Sequence, residues 1–110
     1  MKKIKVKVKD LHGKALVWAM TMLEGFDEEG ATFTVNGPGI RVFCLEDLIE
    51  RYKIGVWPSE AREFQWAAKP APPIFNIPLV YYGGTPINAV IRCILAHHVG
   101  KEVEVPEGLL

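Results

Sequence analysis

Tyr81-Tyr82-Gly83-Gly84-Thr85-Pro86-Ile87-Asn88-Ala89-Val90-Ile91-Arg92-Cys93-Ile94-Leu95-Ala96-His97-His98-Val99-Gly100 combines the end of a strand, a glycine turn and a long helix. Leu79 to Tyr82 reads as a strand that stops at Gly83-Gly84. Thr85 carries the side-chain oxygen that an N-cap needs, and Pro86 suits the first helical position, where the N–H is unused. Ile87, Val90, Ile91, Ile94, Leu95 and His98 recur at helical spacing and predict one buried face, with His98 on it as a hydrogen-bonded core residue. Gly100 ends the helix. Val103 and Val105 then alternate with Glu102 and Glu104, which is the period of a half-buried strand.

The same period opens the chain, where Ile4, Val6 and Val8 alternate with Lys3, Lys5, Lys7 and Lys9. A nucleic-acid arm is the other reading of these lysines, and the strict alternation favours a strand. Asp10 predicts the cap of a first helix that Gly25 closes. Leu11, Ala15, Trp18, Ala19 and Met22 form its stripe, which Leu16, Met20 and Leu23 widen, so Trp18 belongs to the core. Gly13 weakens its first turn and is expected to allow close packing.

Between these ends, residues Phe26 to Ala31 read as an acidic loop. Thr32 to Val35 and Ile40 to Phe43 flank Asn36-Gly37-Pro38-Gly39 and predict a hairpin. Leu45 to Tyr52 predicts a short helix, with Glu46 and Asp47 at its positive end and Arg51 at its negative end. Ile54 to Trp57 and Phe64 to Ala67 read as short strands. Lys69 to Pro73 is proline-rich and is expected to be an exposed loop. The expectation is one α+β domain over residues 1–110: a small mixed or antiparallel sheet packed against two main helices and one short helix.

Composition narrows the partners. The 110 residues are 49% hydrophobic, which suits a globular chain, and carry 13 basic and 13 acidic side chains. Without excess positive charge, duplex DNA is an unsuitable partner. No apolar run approaches the roughly 20 residues needed to span a bilayer, and no secretory signal opens the chain. Cys44 and Cys93 form no CxxC pair and are expected to be buried thiols of a reducing cytoplasm.

The chemistry concentrates at the strand–turn–helix stretch. Free N–H groups at a helix start make an anion site, and glycines let a ligand approach the backbone. Thr85, Asn88 and Arg92 share a helical face and could present a hydroxyl, an amide and a guanidinium to a phosphate. On that reading, replacing Arg92 weakens binding and leaves the fold intact. The alternative is a well-made turn in which Thr85 caps and Arg92 pairs with a carboxylate. The stretch is neither a Walker loop nor a GxGxxG fingerprint. Trp57, Trp66, Tyr81 and Tyr82 could stack on a nucleobase or pack in the core.

Catalysis finds less support. His97 and His98 are adjacent on a helix and diverge, and no histidine pair has metal-ligand spacing. Neither cysteine has a nucleophile context. Glu24, Asp27 and Glu50 could meet only through the fold. The expectation is a binder rather than an enzyme, with no cofactor or metal.

Three segments carry a resemblance. They are Leu11-His12-Gly13-Lys14-Ala15-Leu16-Val17-Trp18-Ala19, Gly84-Thr85-Pro86-Ile87-Asn88-Ala89-Val90-Ile91-Arg92-Cys93 and Val99-Gly100-Lys101-Glu102-Val103-Glu104-Val105-Pro106. In these the chain resembles the NinX-like family of bacteriophage proteins, which has no assigned activity. The centre matches more loosely, through Leu48 to Ile54 and Trp66-Ala67-Ala68. Val17 stands where the family usually has an acid, and Gly83-Gly84 replaces its Gly-Pro.

The resemblance implies a phage origin and a host-cytoplasm setting. It implies an accessory protein directed at host defence, for which one physical route is sequestration of a nucleotide-derived immune signal by a homo-oligomer. Trp57, Trp66, Tyr81 and Tyr82 would then take base or ribose. Gly83, Gly84, Thr85, Asn88 and Arg92 would take phosphate. The alternatives are a protein-interaction module that inhibits a host enzyme, and a hydrolase of the same signal.

Overall fold

The two ends of the chain pair with each other. In the computed structural model, which describes residues 2–36, 43–60, 65–70 and 80–110, β1 (Lys3–Lys7) runs antiparallel to β5 (Glu102–Pro106). Ile4 faces Val105 and Val6 faces Val103, while Lys5 and Lys7 stand opposite Glu104 and Glu102. Opposite charges in register stabilise such a ladder, so the alternating lysines serve strand pairing here.

Helix α1 (Gly13–Leu23) begins later than the sequence suggests. Val8–Asp10 first forms a 3-10 turn, which takes up Asp10, and the N-cap is His12. Gly13 has a φ of +59° and nothing within 4 Å of the place a Cβ would take, so it serves the backbone path rather than close packing. Trp18 lies in the core as expected, beside Ala15, Leu16, Ala19 and Met20.

The hairpin expected from Thr32 onward is instead a helix, α2 (Glu28–Asn36), and this helix also takes up most of the segment read as an acidic loop. Asp27 Oδ1 accepts from the N–H of Gly30 at 2.7 Å, satisfying a donor of the first turn. Ala31 and Val35, one turn apart, are both buried. The Thr32 and Thr34 hydroxyls donate to carbonyl oxygens four residues back, at 2.7 and 2.8 Å. Thr32 Oγ1 also accepts from Trp18 Nε1 at 3.1 Å. Packing on α1 therefore outweighs the strand preference of the Thr-Phe-Thr-Val run. Of the hairpin's expected second arm, Ile40 to Phe43, residues 40–42 lie outside the described residues, and Phe43 is in neither a strand nor a helix.

Helix α3 (Leu45–Tyr52) is placed as expected. Its Arg51 donates to Asp47 one turn back at 2.8 Å and to both carboxylate oxygens of Glu24 at 2.6 and 3.1 Å, tying α3 to the end of α1. A three-stranded antiparallel sheet follows in the order β2 (Ile54–Pro58), β3 (Trp66–Pro70), β4 (Tyr81–Gly83). Trp66–Pro70 corrects the expected strand Phe64 to Ala67, whose Phe64 lies outside the described residues. It also moves Lys69 and Pro70 out of the expected loop; residues 71–73 are not described. Among the described residues, Pro70 pairs with Ile54 on β2, and the pairing with β4 covers Trp66, Ala67 and Ala68.

Helix α4 (Pro86–His98) covers one face of this sheet and also packs on α1 and α3. Ala89, Val90, Ile91, Cys93, Ile94 and Leu95 are buried. His98 is not among them: the last turn leaves the core, and His98 is exposed with its ring edge-on to Tyr52, centroids 5.1 Å apart. Cys44 is likewise exposed, because it precedes α3 at the surface, whereas Cys93 is buried. The class is α+β as expected, with four α-helices and two antiparallel sheets among the described residues. None of these helices is long and apolar enough to cross a membrane.

Candidate functional site

Strand alternation sorts the sheet's side chains into two faces. Ile54, Val56, Trp66, Ala68 and Tyr81 join the core cluster on the side of α4. Gly55, Trp57, Ala67, Lys69 and Tyr82 therefore belong to the outer face. The register sets Trp57 opposite Ala67 and Ala67 opposite Tyr82, so these three form one row across the sheet. Trp57 and Tyr82 are each 37% exposed, while Ala67 between them is 1% exposed. With strands about 4.8 Å apart, the two aromatic residues stand about 10 Å from each other on either side of a methyl group.

This arrangement makes a trough. A cavity of about 390 Å³ lies there, lined by Trp57, Pro58, Ser59, Glu60, Ala67, Val80 and Tyr82 among the described residues. Lys69 follows Ala67 by two positions on the same face, and its Nζ lies 5.8 Å from the centroid of the Trp57 ring. That is cation–π distance, and it puts a positive charge beside the aromatic wall.

The other expected site residues are distributed elsewhere. Trp66 packs into the core from the inner face. Tyr81 is buried there as well, edge-on to His97 with centroids 6.2 Å apart, and burial raises the pKa of its phenol. Alternation alone separates Tyr81 from Tyr82.

The start of α4 is used mostly within the fold. A Cβ on Gly83 would stand 2.6 Å from the Ala89 nitrogen, so this glycine permits the close approach of β4 to α4. Thr85 Oγ1 accepts from the N–H of Asn88 at 3.2 Å, as an N-cap should. Asn88 lines a different cavity, with Gly13, Lys14, Val17 and Val35. Arg92 donates from Nε to the Leu11 carbonyl at 2.9 Å and from Nη1 to the Tyr82 carbonyl at 2.6 Å. Burial lowers its pKa against the opposing charge of Asp10. Gly84 and Thr85 remain exposed at the turn.

No family model, curated protein or solved structure matches the chain.

The groups considered for catalysis have separate partners. Glu24 accepts from Arg51 and from the Tyr52 hydroxyl, and Asp27 is engaged at the start of α2. The Nδ1 of His12 lies 3.0 Å from the Asp10 carbonyl oxygen. Burial pushes the Cys93 thiol up to about 12, which keeps it protonated and poorly nucleophilic at neutral pH. Among the described residues, no group of three His, Cys, Asp or Glu side chains could hold a metal ion.

Sequence reasoning named Trp57 and Tyr82 but missed Ala67 and Lys69. Their signal is the cross-strand register, which puts a small residue between two aromatics and a lysine one step along. No single segment displays that pattern.

Proposed function

We propose that this chain binds a nucleotide-like ligand in the trough on the outer face of its three-stranded sheet and holds it without transforming it. The observation that carries the reading is the row Trp57–Ala67–Tyr82, with Lys69 beside it. In this reading a flat ring enters the trough beside the part-exposed Trp57 and Tyr82 and stacks on aromatic surface there. Lys69 supplies the cation for a phosphate, and Glu60 and Ser59 supply polar groups for ribose or an exocyclic amine. Arg92 and Gly83 act in this reading as parts of the fold that position β4.

The resemblance to NinX-like phage proteins supplies the biological setting of the proposal. The ligand is a nucleotide-derived host immune signal, sequestered in the host cytoplasm by a homo-oligomer of this chain. One observation favours a second reading, a protein-interaction module. Phe33 is 73% exposed on α2, with Phe26 40% exposed nearby in sequence, and exposed aromatics serve as anchors at protein interfaces.

Calorimetric titration with cyclic oligonucleotides and ADP-ribose-derived compounds tests the first reading. Replacing Trp57 with Ala is expected to weaken binding about tenfold, from a stacking contribution of roughly 1–3 kcal/mol per base, whereas Trp57→Phe retains most of the affinity. Equal affinity in Trp57→Ala removes the trough from the site. Equal affinity in Phe33→Ser is expected for ligand binding and leaves the second reading to stand on host-protein capture alone.

A further inference from the structure

A second polar feature lies on the other face of β4, where Tyr81 points. Lys7 ends β1, Lys9 belongs to the 3-10 turn that follows, and Lys101 stands in the link between α4 and β5. Two backbone constraints and one buried side chain hold these segments together. Lys7 is paired in register with Glu102. The N–H of Val8 donates to the carbonyl oxygen of Lys101 at 2.9 Å. The Val8 side chain is completely buried, which turns its neighbours Lys7 and Lys9 outward. A cavity of about 290 Å³ results, lined by Lys7, Lys9, Lys101, Glu102 and Tyr81.

Among the described residues that line this cavity, positive charge exceeds negative: Lys7, Lys9 and Lys101 face one carboxylate, Glu102, which stands opposite Lys7 in register. The chain as a whole has 13 positive and 13 negative side chains, and several of them are matched: Lys2 with Glu107, Lys3 with Glu28, and Arg51 with Glu24 and Asp47. Among the described residues, no ion pair involves Lys7, Lys9 or Lys101. Among the described lining residues, three ammonium groups thus share one cavity with the Glu102 carboxylate. Tyr81, only 9% exposed, forms a wall that limits solvent on one side. Burial raises its pKa, so its hydroxyl stays protonated and able to donate.

We infer that the cavity between Lys7, Lys9, Lys101 and Tyr81 binds a phosphate-bearing anion with at least two negative charges. An ammonium carries three donors and no acceptor, so three lysines and a phenol present donors from several directions to one ligand. Phosphate oxygens match that demand, and a single carboxylate would leave more than one ammonium unneutralised. The volume suits a diphosphate group with bound water, since a water occupies roughly 30 Å³ of liquid. Tyr81 and Tyr82 alternate across β4, so this cavity and the aromatic trough lie on opposite faces of the sheet. The inference is therefore independent of the nucleotide reading above.

The test is an amide NMR titration of the whole chain with inorganic pyrophosphate at low ionic strength, repeated with ADP. Saturable shifts are expected at Val8, Lys9, Tyr81 and Lys101. Lys9→Gln and Lys101→Gln are each expected to weaken pyrophosphate about tenfold, the scale of one charge-assisted hydrogen bond. Both side chains are exposed, so the spectra away from the cavity should be unchanged. Lys5→Gln, on the same strand but outside the cavity, is expected to bind as well as the parent, and so is Trp57→Ala.

Equal affinities for pyrophosphate and ADP would make the phosphate group itself the ligand. Tighter ADP binding that Lys9→Gln abolishes would make it a nucleotide phosphate; both results support the inference. It is overturned if the Lys9→Gln/Lys101→Gln double variant binds pyrophosphate normally, if Lys5→Gln weakens binding equally, if the shifts gather at Gly84 and Thr85, or if binding does not saturate.

Discussion

Arg92 reaches back across the strand–helix turn and donates through Nη1 to the carbonyl oxygen of Tyr82, 2.6 Å away. Its Nε holds the Leu11 carbonyl at the same time, 2.9 Å away. One side chain thus fastens β4 and the segment before α1 to α4. A charged donor to a carbonyl contributes about 1.5–3 kcal/mol, and loss of both leaves two carbonyl oxygens to find other donors. Arg92→Ala is expected to lower unfolding stability by about 2–4 kcal/mol, read from urea denaturation. Arg92→Lys, which can reach only one carbonyl well, should recover part of this. A stability change below about 0.5 kcal/mol, with affinity for a phosphorylated ligand lost, would instead support the phosphate role that the sequence suggests.

The two adjacent glycines make a sharper comparison. A methyl group on Gly83 would meet the Ala89 nitrogen at 2.6 Å and the Asn88 Cβ at 3.0 Å, whereas one on Gly84 would meet nothing within 4 Å. Overpacking of this kind costs about 1–3 kcal/mol, occasionally more. Gly83→Ala is expected to lower the denaturation midpoint clearly, and Gly84→Ala to leave it within about 0.5 kcal/mol of the parent. Equal effects from the two substitutions would contradict the close approach of β4 to α4.

Cys93 sets the alkaline behaviour. Burial pushes its thiol up to about 12 in the folded chain, against about 8.5 in an unfolded one. The folded state therefore holds the proton more tightly, and this stability is present below the unfolded pKa and lost as pH rises toward the folded one. The Tyr52 and Tyr81 phenols, raised chiefly by burial, act in the same direction at higher pH. Urea midpoints should fall between about pH 9 and pH 12, with a shallower fall in Cys93→Ala. At pH 8 the exposed Cys44 should alkylate in the native chain and the buried Cys93 only after unfolding. Rapid native modification of both would contradict this burial.

Much of the frame is readable from periodicity. The alternation of Ile4 and Val6, the alternation of Val103 and Val105, and the Thr85-Pro86 start of α4 each mark their element without tertiary information, whereas Val8 continues the alternation but lies in the 3-10 turn. The run Thr32-Phe33-Thr34-Val35 does not. Its β-branched residues suit a strand, and only the contact of Trp18 Nε1 with Thr32 Oγ1 and the burial of Ala31 and Val35 explain its helix. The start of α1 is not legible in the sequence, because nothing local marks the 3-10 turn that takes up Asp10. At the site, Trp57 and Tyr82 were visible as aromatics. Their meeting across Ala67 depends on strand order and register, which sequence spacing leaves open. The Lys7–Lys9–Lys101 cavity was hidden for the same reason, since two of its lysines read as the outer face of a strand.

Retention of an intact nucleotide-like ligand in the trough between Trp57 and Tyr82 is tested by recovery of the ligand from the protein. Purified chain is incubated with cyclic oligonucleotides and ADP-ribose-derived signals, the protein is removed, and the remaining ligand is chromatographed before and after heat denaturation. One compound is expected to be depleted by the native chain, to return chemically unchanged on heating, and to stay in solution with the Trp57→Ala/Tyr82→Ala variant. A compound that returns altered, or one depleted equally by the double variant, would contradict it.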